Sequence, residues 1–230
     1  MISVNAIWLF SLIAFVAVFF ILVIITLLNS TVFKKDFSLL RQFPYEFFRE
    51  KNHTLPFYRP LLHVLTGLAF SPIFVITPIY HEFGDLAFLC IFITCVFGLA
   101  AASNALLFYF DARYTKTHIV LVTVSMCLTL LANALAAILS FIIFKSYMDS
   151  NDSHNLSLVL GIASGLLAFF VLLMVVNPKL SNWTKLRVNE DENGEKTIDR
   201  GKIFVLAFCE WLTIAALVVG EVLFFLSLIK

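Results

Sequence analysis

Two carboxyls in the last apolar stretch of the chain are the residues with the clearest chemical potential. Glu210 and Glu221 stand eleven positions apart in a run from about 203 to 229 that is otherwise free of charge. Eleven residues make about three helical turns, so both side chains project within roughly 20° of one direction. Ala207, Thr213 and Gly220 lie near that stripe, whereas Phe204, Phe208, Val218 and Leu226 lie mostly off it. Ionisable groups in hydrocarbon are costly and mark ion pathways, proton relays or pairs with one another. One face of this helix therefore meets something other than lipid, and proton or cation coupling is the chemistry expected of it.

A complementary face lies in the apolar run at about 60–80. His63, Thr66, Gly67, Ser71, Thr77, Pro78 and His81 recur there at steps of three and four, and Pro72 and Pro78 free backbone carbonyls that need partners. His63 enters at the same end of the bilayer as Glu210, so a His63–Glu210 hydrogen bond is the expected contact. Milder polarity marks Thr94, Gly98, Ser103 and Asn104 in the next run, and Ser125, Thr129, Asn133, Ala136 and Ser140 in the one after it. Glu210, Glu221, His63, Thr66, Asn104 and Asn133 are the candidates for transport or ion coupling. Ser157, Gly161 and Gly165 form a stripe of small residues containing a GxxxG, which lets another backbone approach closely. That stripe fits packing within the chain or a seam between two copies.

These residues are positioned by six apolar stretches, at about 6–28, 60–80, 86–110, 117–145, 156–177 and 203–229. Each approaches or exceeds the roughly 20 residues that cross about 30 Å of hydrocarbon. Hydrophobic residues make up 61% of 230 positions, which excludes a soluble globular domain of ordinary composition. The expected fold is all-α: a single integral membrane domain over 1–230, built as a six-transmembrane-helix bundle.

Of the 16 Lys and Arg, all but Lys145 and Lys230 fall in three of the gaps. Basic residues stay on the cytoplasmic side, so the gaps at 29–59, 111–116 and 178–202 are inside and both termini are outside. Trp8, Tyr80 and Tyr147 then mark the outer interface, and Tyr58, Tyr109, Tyr114 and Trp183 the inner one. The first span lacks a basic leader and a small-residue cleavage site, so it reads as an uncleaved anchor. The plasma (cytoplasmic) membrane is the expected location.

Two inside segments have patterning of their own. Over 33–51, Phe33, Phe37, Leu40, Pro44 and Phe47 recur at helical spacing with Lys34, Lys35, Arg41 and Arg49 elsewhere around the helix, which predicts an interfacial helix kinked near Pro44. Within 179–202, Asn193-Gly194 between Val188 and Ile198 predicts a β-hairpin. Asn189, Asp191, Asn193 and Gly194 imitate the start of an EF-hand loop, but its twelfth position is Arg200 and calcium is not expected. Cys90, Cys95, Cys127 and Cys209 lie within spans without a CxxC, and read as structural thiols.

Catalysis has little support. The run Gly161 to Gly165 places Ser164 between small residues, yet there is no Gly-x-Ser-x-Gly elbow and no His in the last two spans to act as a base. His53, His63, His81, His118 and His154 are scattered, so no metal or other cofactor is expected. Two functions fit. One is a small transporter or channel for an ion or small solute, proton-coupled through Glu210 and Glu221, with the second, third, fourth and sixth spans walling its cavity. The other is a non-catalytic subunit or assembly factor. The expected associates are the lipid bilayer and either a second copy through the Gly161/Gly165 face or a partner protein at the cytoplasmic loops, with no nucleic acid.

Overall fold

The computed structural model of the chain describes residues 40–45, 84–107, 110, 115–149, 155–177, 188–190, 196–198 and 204–228. The first two apolar runs, with His63 and Thr66, lie outside the described residues. The described chain holds four long helices: α1 (Ala87–Leu107), α2 (Thr115–Asp149), α3 (Asn155–Val175) and α4 (Val205–Ser227). All four are long and apolar enough to cross a membrane. A bilayer offers no water to unpaired amides, so apolar chain of this length satisfies its backbone internally as helix. A 3-10 turn at Gly84–Leu86 leads into α1. Strands β1 (Val188–Glu190) and β2 (Lys196–Ile198) pair antiparallel, with Val188 opposite Ile198.

The helix limits have local causes. No proline occurs between 84 and 177, and α3 ends three residues before Pro178, whose ring disfavours helical geometry at Asn177. At 35 residues, α2 is roughly 50 Å long and overruns the hydrocarbon, continuing as helix past Lys145 and Tyr147. Phe204, the N-cap of α4, is extended and has no side-chain cap. Its N–H instead donates to the Leu40 carbonyl at 2.7 Å, which ties residues 40–45 to this helix.

Among the described helices, α2 packs against α1, α3 and α4, most extensively against α3 and α1. Phe141 meets Gly161 and Ala137 meets Gly165, so α2 and α3 run antiparallel with the small-residue stripe of α3 turned toward α2. His118 pairs with Glu210, while Asn133 lies against Gly220, so α2 and α4 run parallel. Their first residues are therefore at one end of the bundle. One apolar cluster at that end joins Phe43, Val122, Met126, Met174, Leu206 and Ala207. Another at the opposite end joins Ile93, Phe97, Leu139, Leu217 and Phe224. Leu156, Val159, Leu166, Phe169 and Leu173 leave the outer side of α3 apolar and exposed, as a lipid-facing surface requires.

The tightest approach is at Gly220. A Cβ built there collides with the side-chain amide of Asn133, whereas one built at Gly161 meets only the ring of Phe141, at 3.2 Å. The amide is held by its own hydrogen bond and cannot swing away freely. Gly220→Ala is therefore expected to destabilise the bundle by about 1–3 kcal/mol, more than Gly161→Ala, in thermal melts of the detergent-solubilised protein.

Candidate functional site

The parallel approach of α2 and α4 brings one titratable pair together inside the bundle. His118, in the first turn of α2, sets its Nε2 2.9 Å from Oε1 of Glu210 in the second turn of α4. Both side chains are buried, His118 completely and Glu210 to within 2%. The second ring nitrogen, Nδ1, lies 2.8 Å from the Phe110 carbonyl in the connection between α1 and α2. A backbone carbonyl only accepts, so Nδ1 carries a hydrogen. That fixes the chemistry of the other contact. Nε2 and Oε1 share a single proton, as imidazolium with carboxylate or as neutral imidazole with carboxylic acid. Both forms have the same net charge and keep one hydrogen bond in the contact. Moving the proton between them costs no charge separation across the bundle. Adding or removing one changes the charge of the buried pair, which is costly in an apolar interior.

Residues 40–45 close the pair off from the near end of the bundle. Phe43 is fully buried and its ring stands perpendicular to His118, with centroids 5.2 Å apart. Tyr45 stacks on Phe43 at 5.3 Å and also meets His118 edgewise at 5.7 Å. Phe43 also meets Phe204 edgewise, at 5.2 Å and 88°. Two backbone carbonyls anchor this strap: Leu40 accepts from the Phe204 N–H, and Gln42 accepts from the Trp211 indole N–H at 2.9 Å. Leu40 to Gln42 form a turn rather than a helix. That geometry frees the carbonyls to bond α4. The aromatic rings that result exclude water from the imidazole.

The remaining candidates are distributed along the bundle. Asn133 is fully buried and donates from Nδ2 to the Thr129 carbonyl at 2.9 Å and, more weakly, to the Ala216 carbonyl of α4 at 3.5 Å. Its Oδ1 has no hydrogen-bond partner. Glu221 is as buried as Glu210, and its Oε1 likewise has no partner. Asn104 is buried but spends its amide on the Ala100 carbonyl of its own helix. Ser157 and Gly161 are buried and Gly165 half-buried on α3. Ser164 is buried with its hydroxyl unpartnered. Among the described residues, no three of His, Cys, Asp and Glu converge as a metal group would.

The described partner of Glu210 is His118; the expected partner His63 lies outside the described residues. A sequence signal for His118 does exist. It falls seven residues before Ser125, on the stripe that continues through Thr129, Asn133 and Ser140. It also sits at the end of its span that the charge pattern predicts to be inside, the criterion that made His63 a candidate. Phe43, Tyr45 and Trp211 gave no such signal, because their role depends on where the strap docks.

No protein-family model matches the chain, and no curated protein or solved structure gives a significant match.

Proposed function

We propose that the protein is a small integral membrane transporter or channel for an ion or small solute, coupled to proton movement through the His118–Glu210 pair. The observation that carries this reading is the 2.9 Å contact between a fully buried imidazole and a buried carboxyl, with the imidazole's other nitrogen committed to the Phe110 carbonyl. Such a pair stores one proton in an apolar interior and exchanges it only when its cover moves. The strap formed by residues 40–45 is that cover, and Phe43 is the part that must leave the imidazole. On this reading both termini are outside, the His118 end is cytoplasmic, and the membrane is the plasma membrane. The basic residues Arg113, Lys116, Lys179, Lys185 and Arg187 then flank the cytoplasmic end.

The test is proton uptake by proteoliposomes holding the purified protein under an imposed membrane potential. Uptake above that of empty liposomes, lost in Glu210→Gln, supports the reading. Equal uptake with and without protein rejects it.

A second reading, a non-catalytic subunit or assembly factor, is favoured by one observation: the pair is sealed by aromatic rings as a structural staple would be. In that case the protein extracted gently from its own membrane carries a stoichiometric second polypeptide in native mass spectrometry, and the glutamates serve packing.

A further inference from the structure

The α2–α4 seam contains polar atoms that neither packing nor the His118–Glu210 pair accounts for. Most buried hydroxyls of the bundle close onto their own helix. Thr94 donates to Cys90, Ser103 to Ala100, Ser140 to Ala136, Thr213 to Cys209 and Ser227 to Phe224. Ser125 and Thr129 on α2 do not, nor does Ser164 on α3, although each is at most 1% exposed. Ser125 and Thr129 stand one turn apart on α2, and Asn133, with its open Oδ1, stands one turn further on. His118 and Asn133 both touch α4, so Ser125 and Thr129 between them lie on the stripe that faces it. At the level of Asn133 the facing residue of α4 is Gly220, and the next residue is Glu221 with its unpartnered Oε1.

We propose that this seam is a proton path along which Ser125, Thr129 and Asn133 hold a file of water between the His118–Glu210 pair and a second proton-carrying group, Glu221. This deepens the coupling reading and rests on it. The chemical types fit. A hydroxyl donates and accepts at once and can pass a proton along, and an amide oxygen accepts from water without trapping it. Ser125, Thr129 and Asn133 succeed one another at about 6 Å along the helix, too far for direct hydrogen bonds and a span for one bridging water each, whereas the seven residues from His118 to Ser125 cover about 10 Å and call for two. At Asn133 the water has to lie beside the amide, because α4 comes too close at Gly220 to admit it between them. A buried carboxyl with no counter-ion among the described residues either carries its own proton or holds a cation. An alkali or alkaline-earth ion needs about six or more oxygens around one point. These oxygens are strung along α2 instead, so the proton is the species that fits. One proton enters the file for each one that leaves it, and no electrons move.

Two readouts test the path in reconstituted protein. Proton flux is expected to fall about tenfold or more in Glu221→Gln and in the double variant Ser125→Ala/Thr129→Val. Thr129→Ser is expected to retain flux, as is Ser140→Ala, whose hydroxyl is already spent on Ala136. Independently of flux, the infrared carbonyl band of the protonated Glu221 carboxyl, assigned by its loss in Glu221→Gln, should shift promptly in D2O for wild type and slowly for the double variant. Glu221→Asp keeps a carboxyl and assigns the band by displacing it, should the glutamine variant not fold. Flux in Glu221→Gln and the double variant within about twofold of wild type, with Glu210→Gln inactive, overturns the path and leaves the coupling pair standing. Wild-type protein without flux overturns both. A Glu221 band that resists exchange in wild type, or flux that requires an alkali cation, overturns the path alone.

Discussion

Glu210→Gln is expected to lower proton movement through the reconstituted protein by about a hundredfold or more, the scale on which positioned acid–base groups act. Its thermal stability is expected to stay within about 1 kcal/mol of wild type. The separation of the two effects follows from the imidazole. Nδ1 keeps its hydrogen on the Phe110 carbonyl, so in the neutral ring Nε2 is an acceptor. A glutamine amide can donate to it across the same 2.9 Å contact with little change in volume. The hydrogen bond and the packing of Phe43 and Tyr45 against the ring therefore survive. An amide does not ionise in this range, so the proton shared by Nε2 and Oε1 has nowhere to go. Proteoliposome flux and a melt of the same preparation read the two quantities side by side. A variant that keeps full flux, or one that loses several kcal/mol while a partner polypeptide dissociates, assigns Glu210 to packing and supports the subunit reading.

How far the sequence led is clearest at the helices. The runs at 86–110, 117–145, 156–177 and 203–229 stand as α1 to α4 with ends displaced by a few residues. Hydropathy succeeds there because the bilayer forces every amide of a span to pair within it. The largest displacement is in α2, which continues to Asp149 through Lys145. Charge ends a span's hydrocarbon segment but not the helix itself. The alignment of Glu210 and Glu221 was also legible, since it needs only the 3.6-residue period.

Partners across helices were not legible. That Glu210 meets His118 depends on α2 lying beside α4, which spacing along one helix cannot give. The strap shows the same limit at the level of the backbone. Its periodicity placed Leu40 and Pro44 on an apolar face; Pro44 is buried and Leu40 exposed, and the rings that reach His118 are those of Phe43 and Tyr45. The carbonyls of Leu40 and Gln42 bond Phe204 and Trp211, contacts that no local periodicity gives; the rest of the expected helix at 33–51 lies outside the described residues. Asn133 is intermediate. Its place on a polar stripe was visible, while its contact with Gly220 arises only where α2 and α4 approach most closely.

The pair also makes a prediction about stability that is independent of any flux. His118→Leu alone is expected to cost about 3–5 kcal/mol, because it strands a buried carboxyl beside an apolar side chain. It also removes the hydrogen bond that holds the Phe110 carbonyl. Adding Glu210→Leu should recover most of that loss, since replacing both members of a buried pair by apolar groups of similar size is often neutral or stabilising. The double variant leaves the Phe110 carbonyl without its partner, so recovery is expected to fall short of wild type by about 1–3 kcal/mol. A double-mutant cycle on thermal or denaturant melts of the solubilised protein measures the coupling directly. Additive losses from His118→Leu and Glu210→Leu would mean that the two side chains do not share a proton in the folded protein. Strong coupling with a stable, well-packed double variant would mean the opposite in an informative way. The ionisable pair is then not needed to build the bundle, and its presence between two helices in hydrocarbon is to be explained by the proton it holds.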